Sequence, residues 1–293
     1  MDRTAIIASD STCDLSEELI AKYDIKIIPL GVHLGDCQYT DGVDINPDKI
    51  YAHYEEKGEL PKTSAPSIAA FEAFFREQTE KGNAVVLFTI SAEMSATYNN
   101  ARLAAEAFEQ VYVVNSANLS TGGGLLIMAA CEMARAGIPA EEIVQRCESM
   151  RPRVDASFVV DDLEFLHKGG RCSAVAAFGA NLLQLKPCIV VKDGKMGVDK
   201  KYRGKFGVVL GKYIAERLGD GTDVELDRVF VTHAGCDPEI VASCVAQVKA
   251  LAPFREVLIT RAGCTISSHC GRNTLGVLFI RKDRYVCEED RNT

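Results

Sequence analysis

Short apolar runs alternate with amphipathic segments through the first half of the chain, and this alternation predicts its architecture. Residues 4–9 read as a buried strand, Ile25 to Leu34 as a second β-branched run, Ala84 to Phe88 as a third and Val111 to Val114 as a fourth. Helical patterns fall between them. Asp14, three residues before Glu17, gives a capping-box-like start to a helix through Tyr23, and Pro47 opens a helix to Lys57 that Gly58 ends. Ser67 caps a helix whose apolar face is Ile68, Phe71, Phe74 and Phe75, and further helices are expected at 98–109, 125–136 and about 140–150. Strand-helix alternation of this kind predicts a doubly wound, mostly parallel sheet with helices on both faces.

After Arg151-Pro152-Arg153 the texture changes. A strand from Ala156 to Asp161 leads into Asp162 to Arg171, and a small-residue helix is expected from Ser173 to Leu185. Lys186 to Lys192 and Lys195 to Arg203, joined by Asp193-Gly194, read as a hairpin with a two-residue turn. Helices at 205–218 and 237–251, strands from Arg228 to Thr232, Glu256 to Thr260 and Leu275 to Ile280, and a loop from Ile266 to Gly271 complete the chain. A mixed sheet with helices fits this order better than a second doubly wound unit. The expected division is a Rossmann-like α/β domain over 1–154 and a mixed α/β domain over 155–293.

The 293 residues suffice for one large or two ordinary domains. With 33 Lys and Arg against 41 Asp and Glu the net charge is −8, which argues against nonspecific nucleic-acid binding. The apolar start is too short for a signal peptide, and no run approaches the roughly 20 residues that span a bilayer, so a cytoplasmic protein without stable membrane insertion is expected. Eleven cysteines include no C-x-x-C spacing. Several, such as Cys131, Cys147 and Cys244, replace apolar residues in periodic segments, as reduced thiols of a reducing compartment do.

Candidate chemistry gathers at the carboxyl ends of the predicted parallel strands, where ligands of open α/β sheets bind. Ser9-Asp10-Ser11-Thr12, Ser91 to Thr97 and Asn115-Ser116 to Thr121 are hydroxyl-rich, and the connector with Thr63 and Ser64 is placed to join them. Ser and Thr before a helix are helix caps in the simplest reading; as anion ligands, Ser91, Ser95 and Thr97 would share the helix-start N–H groups with a bound anion. These loops hold no Lys, Arg or His, only Asp10 and Glu93 as acids, and no P-loop, so a nucleoside triphosphate fits poorly and a carboxylate fits well. Gly122-Gly123-Gly124 could cradle phosphate or simply allow close helix packing. The five histidines are scattered without metal-ligand spacing. His269 is either a structural hydrogen-bonder or, as imidazolium, the positive partner of the hydroxyl loops. Ser95, His269 and Asp10 also supply the residue types of a hydrolase triad, without a G-x-S-x-G elbow. Lys168 to Arg171, Lys200 to Lys205, Arg151 and Arg153 put positive charge into an acidic protein, as solvated loops or as a docking patch.

Ile6 to Leu15, Thr63 to Ser67, Ile90 to Tyr98, Val114 to Ser116, Phe158 to Ser173 and Ile266 to Leu278 resemble, in order, the motifs of the DegV family, and Asp162 to Arg171 is the most specific of them. The resemblance covers nearly the whole chain. It implies a bacterial lipid-binding protein rather than an enzyme: the fatty acid-carrying subunit of fatty acid kinase, with two α/β domains enclosing an acyl chain. It implies that Thr63 and Ser95 bind the carboxylate with His269 beside them, and Ser64, Thr97, Ser116 and Gly271 join the expected ligand site. Arg171 and Arg203 match positions that dock the kinase's catalytic subunit, which would phosphorylate the bound long-chain fatty acid for phospholipid synthesis. No cofactor and no metal are expected. The rival functions are a serine hydrolase or acyltransferase using Ser95 and His269, and a sensor of another anionic metabolite. The sequence departs from the family pattern at Ala65, at Ala96 (where Gly is usual and Ala disfavours positive φ) and at Gly271-Arg272-Asn273 beside the head-group segment.

Overall fold

The computed structural model describes residues 5–80, 82–172, 175 and 185–283. Four parallel strands, β1 (Ala5–Asp10), β2 (Lys26–Ile28), β6 (Ala84–Thr89) and β7 (Val111–Asn115), form a sheet in the order β2-β1-β6-β7. Period-two alternation along β6 explains its two covered faces: Val85 and Leu87 point to one side, Val86 and Phe88 to the other. The first side packs on α3 (Ile68–Thr79) and α4 (Thr97–Ala105) through buried Phe71, Phe75, Ala101 and Ala104. The second packs on α1 (Glu17–Tyr23), α5 (Ser120–Arg135) and α6 (Ala140–Met150). This is the expected doubly wound arrangement.

The second sheet has six strands in the order β10-β9-β8-β13-β11-β12, drawn from β8 (Val154–Val160), β9 (Lys186–Lys192), β10 (Lys195–Tyr202), β11 (Val224–Ala234), β12 (Glu256–Arg261) and β13 (Thr274–Arg281). Only β11 and β12 run parallel, so the sheet is mixed. Its β9–β10 turn has Asp193 at φ 50° and Gly194 at φ 79°, the pair of positive values that a two-residue hairpin turn requires. One face carries α8 (Phe206–Leu218) and α9 (Pro238–Leu251) over Val229, Val231, Val277 and Phe279. The opposite face turns Ala156, Phe230, Leu278 and Ile280 towards α5, into the same apolar core that α5 shares with the parallel sheet. One helix therefore fills the space between the two sheets.

That position explains two of the three consecutive glycines, Gly122 and Gly124. A Cβ on Gly122 would lie 3.1 Å from Ala156 Cβ, and one on Gly124 would lie 2.9 Å from Leu15 Cδ2. Gly122 serves close packing against the Asn118 side chain and β8, and Gly124 against the 3-10 turn Ser11–Cys13 and Leu15; all three glycines lie inside α5 rather than in a loop before it.

Local readings change at four other points. The apolar run from Ile25 to Leu34 is two strands, because its second half, β3 (Gly31–Leu34), leaves the parallel sheet to pair antiparallel with β4 (Cys37–Thr40) and β5 (Lys62–Ser64) in a small third sheet. Ser16, not Asp14, caps α1, accepting from Leu19 N. The segment expected as a loop around His269 is a helix, α10 (Cys264–Cys270). It is short and lacks a capping side chain at Gly263; Asp41 supplies the missing acceptors, taking the N–H groups of Cys264 and Thr265 from 223 and 224 residues away. The Asp162–Arg171 motif contains α7 (Glu164–Gly169), whereas the helix expected over 173–185 lies almost wholly outside the described residues. Cys131, Cys147 and Cys244 are buried free thiols in the apolar cores, as their periodicity indicates. Among the described residues no helix is long and apolar enough to cross a membrane.

Candidate functional site

A cavity of about 240 Å³ opens where the carboxyl end of the parallel sheet meets α10 and the β9–β10 hairpin. Leu30, Ile90, Met94, Leu119, Met196, Ile266 and Cys270 make its walls apolar. Thr63, Ser95, Thr265, His269 and the exposed Arg171 are the polar groups on its lining. Leu119, Ile266 and Cys270 are shared with a second void of about 30 Å³, which reaches towards Phe158 and Leu278.

Each polar group is set by its element. Thr63 is the central residue of β5, paired with Val32, and its hydroxyl lies 2.8 Å from His269 Nε2. His269 stands in the last turn of α10, and its Nδ1 is enclosed without a hydrogen-bond partner. Burial, with the nearby Arg171 charge, pushes its pKa down to about 4. The imidazole is therefore neutral at pH 7, the hydrogen-bonder of the two readings rather than the imidazolium, and Arg171 is the charged side chain on the lining. Ser95 follows a turn in which Ser91 O accepts from Met94 N and Ser95 N. Its hydroxyl lies 2.8 Å from Thr97 Oγ1 and accepts weakly from Thr97 N at 3.3 Å. Ser95 thus serves as a helix-start partner and as part of the cavity lining at once. Ala96 has φ −72° and ψ −5°, an unstrained right-handed conformation, so this loop needs no glycine there.

The other expected ligand residues lie off the cavity lining. The Ser64 hydroxyl is 3.1 Å from His33 Nε2. Thr97 is fully buried beneath Ser95. Ser116 bonds the backbone of Asn118 and borders a separate void of about 10 Å³ beside Asp10. Gly271 ends α10 with φ 74°, and a Cβ there would meet the Phe165 ring at 3.0 Å, so it positions the helix end. Arg203 is exposed just beyond β10 and does not line the cavity. Arg272 pairs with Glu55 at 3.3 Å and lies over the Tyr51 ring, off the cavity lining.

The triad residue types are not connected to one another by hydrogen bonds. His269 Nε2 bonds Thr63, Ser95 bonds Thr97, and Asp10 accepts from Thr12 N, Thr12 Oγ1 and Ile90 N. A nucleophile, a base and an orienting acid in mutual contact are what the triad chemistry requires. Asp10 instead ties the end of β1 to the start of the Ser91 loop, and burial pushes its carboxyl up to about 6.

Three contributors escaped the sequence reading. Met94 and Met196 face the cavity from loop and hairpin, and unbranched, polarizable thioethers suit an adaptable apolar wall. Met196 is held there because Ser91 Oγ donates to Gly194 O at 2.7 Å, docking the hairpin turn onto the strand-end loop. Asp41 positions α10, and with it His269, through its two N–H acceptances and bonds from Ser11 Oγ and Thr265 Oγ1. The Asp41-Gly42 turn signal was legible; a buried carboxylate capping a helix more than 220 residues away was not.

A sequence model described as an uncharacterised protein of the DegV family matches residues 3–282. A DegV domain-containing protein of Clostridium acetobutylicum is 30% identical over 278 residues, which are 94% of this chain and 98% of that one. Among solved structures, a DegV family protein from Thermus thermophilus, described for its fatty acid binding, has a TM-score of 0.87 and 30% identity over 95% of this chain and 100% of its own. A stearic acid-binding protein from Eubacterium ventriosum has a TM-score of 0.81 and 30% identity over 94% and 98% of the two chains. With the motifs in order, the fold shared and the match spanning nearly all residues, this chain belongs to the DegV family.

Proposed function

We propose that this protein binds a long-chain fatty acid and presents it, in a bacterial cytoplasm, to a separate kinase subunit that makes the acyl phosphate. The observation that carries the reading is the cavity: mostly apolar walls, with Thr63, Ser95 and neutral His269 among the few polar groups on its lining. With His269 Nε2–H donating to Thr63 Oγ1 and Thr97 Oγ1–H to Ser95 Oγ, the Thr63 and Ser95 hydroxyls each keep a proton to donate to a carboxylate. The tail would run past Leu119, Ile266 and Cys270 towards the smaller void. Burying about 14 methylenes at ~0.8 kcal/mol each contributes about 11 kcal/mol gross, so the head group need not supply the affinity through an ion pair. The likeness to proteins described for fatty acid and stearic acid binding supports the same reading. In it the ligand is the one small molecule the protein needs, and the chemistry belongs to the kinase.

Native mass spectrometry of the purified protein, before and after added hexadecanoate, tests the binding. One equivalent of bound acid is expected, and Thr63→Val and Ser95→Ala should each weaken it by about ten- to a hundredfold for a lost hydrogen bond to a charged group. A protein that is empty and also ignores added fatty acid overturns the reading. For the kinase role, acyl phosphate formation from ATP and fatty acid should require this protein together with the catalytic subunit and fall in Arg171→Ala and Arg203→Ala. Product made equally well without this protein overturns that role.

A further inference from the structure

The end of α7 lies over the edge of His269 that Thr63 does not use. Two side chains anchor this helix: Leu166 is fully buried, and the Phe165 ring packs on Gly271 and meets the Tyr54 ring edge to face at 4.7 Å. Gly170, at φ 69°, stops the helix, and Arg171 turns back to donate to Gly169 O at 2.8 Å. Gly169, the last helical residue, therefore faces the imidazole without a side chain. A Cβ there would stand 2.9 Å from His269 Nδ1 and 3.8 Å from its Cγ, closer to Nδ1 than a real Cβ approaches another heavy atom. Position 169 needs glycine for space; the left-handed backbone is needed one residue later, at Gly170.

Enclosure on this side decides where the imidazole proton sits. A neutral ring has one donor nitrogen and one acceptor. Nδ1 has no hydrogen-bond partner and is closed off from solvent. A proton on Nδ1 would be a buried donor with nothing to donate to, whereas a bare lone pair there is the milder defect. Nε2 has the Thr63 hydroxyl at 2.8 Å, so the proton belongs on Nε2. Once Thr63 Oγ1 accepts from the ring, its own hydrogen is left for the cavity that Thr63 lines. The other tautomer would take the Thr63 hydrogen for Nε2 and leave only hydroxyl lone pairs to face a carboxylate.

We propose that Gly169 is a positioning residue for the head group: by closing over His269 Nδ1 it fixes the imidazole in the Nε2–H form and so keeps the Thr63 hydroxyl a donor to the ligand. The tautomer assignment stands on the protein alone, and its consequence for binding rests on the fatty acid reading above. A side chain at 169 pushes the helix end off the ring or turns the ring away from Thr63. Either movement admits water to Nδ1 and frees the second tautomer.

Long-range proton–nitrogen NMR correlation of the histidine rings at pH 7 reads the tautomer directly. Wild-type His269 should show a protonated Nε2 and a bare Nδ1, and a ring protonated on Nδ1 overturns the proposal. Gly169→Ala should give a mixture of the two forms and weaken hexadecanoate about tenfold in calorimetric titration, as for a hydrogen bond to a charged group. In a Thr63→Val background no hydroxyl remains to be oriented, so the same substitution should change affinity by less than about twofold. Equal losses in the two backgrounds, or an unchanged tautomer in Gly169→Ala, overturn the positioning role. If Gly169→Ala does not fold, the double variant Gly169→Ala/His269→Gln decides. Its side-chain amide can still donate to Thr63 and puts no ring nitrogen against position 169, so it is expected to fold and to bind hexadecanoate. A double variant that fails as the single one does overturns the contact. A wild type with the expected tautomer that binds no hexadecanoate overturns the fatty acid reading and the head-group role with it, while the tautomer assignment stands.

Discussion

Asp14→Asn isolates the charge state of one buried carboxyl. Asp14 follows the 3-10 turn at φ 50°, accepts from Gly263 N at 2.8 Å through Oδ1 and meets the Ser120 hydroxyl at 2.5 Å through Oδ2. It lies between α5 and the start of α10, so it joins the central helix to the element that carries His269. Burial pushes its pKa up to about 8, and the negative charges of Asp41 and Asp10 push in the same direction against the two hydrogen bonds. The folded protein therefore keeps a proton that the unfolded chain loses near pH 4. Stability from this group is full below about pH 4 and is lost as pH rises towards 8, at about 1.4 kcal/mol per pH unit. Asparagine preserves both contacts: its oxygen accepts from Gly263 N, its nitrogen donates to Ser120 Oγ, and it tolerates the left-handed conformation. Urea unfolding of wild type and variant at pH 5, 6 and 7 measures the difference. The variant should gain on wild type by about 2.7 kcal/mol across those two units. A difference that stays constant with pH, with the variant uniformly weaker, would refute the protonated carboxyl.

Three further outcomes follow from the same contacts. Tyr213→Phe removes a buried hydroxyl that lies 2.7 Å from Ser157 O, 2.9 Å from Ser157 Oγ and 2.9 Å from Val277 N, and should cost about 1–3 kcal/mol in chemical denaturation through the groups left unpaired. A Cβ on Gly276 would stand 2.6 Å from the Ser157 carbonyl oxygen, so Gly276→Ala should destabilise by about 1–3 kcal/mol, whereas an unchanged urea midpoint would show that β8 and β13 can separate. Because the His269 pKa is depressed to about 4, its contribution to stability is present above pH 6.5 and lost as pH falls towards 4, and an NMR titration of its ring should show no protonation between pH 8 and 5.5. A ring that titrates near 6.5 would sink the neutral-imidazole account.

Much of the fold was legible because strands and helices depend on neighbours a few residues away. Short apolar runs marked β1, β6 and β7, the Pro47 start and Gly58 stop bounded α2 (Pro47–Lys57), and Ser67 capped α3 as read. The failures were tertiary overrides. Ile25 to Leu34 reads as one β run, but its second half finds its partners in β4 and β5. The Cys264–Cys270 segment has no cap of its own, and a helix reading needs the acceptors that Asp41 brings from elsewhere.

The same division holds at the site. The sequence by itself marked the hydroxyl-rich strand ends and, through the order of its motifs, the family, whose resemblance singled out Thr63, Ser95 and His269, because residue types and their order can be read along the chain. Only the tertiary structure decided which hydroxyls face a cavity: Ser64, Thr97 and Ser116 are equally hydroxylic but spend their bonds on His33, Ser95 and Asn118. It decided the charge of His269, since proton affinity depends on burial and on Arg171, neither of which is a neighbour in sequence. It placed Met196 at the cavity beside Met94, the hairpin being docked by one hydrogen bond between residues 103 positions apart. The loop from Ser91 to Thr97 supplies Met94, Ser95 and Ala96 to the lining; β5, α10 and the hairpin supply Thr63, His269 and Met196, because a cavity exists only where distant segments pack together.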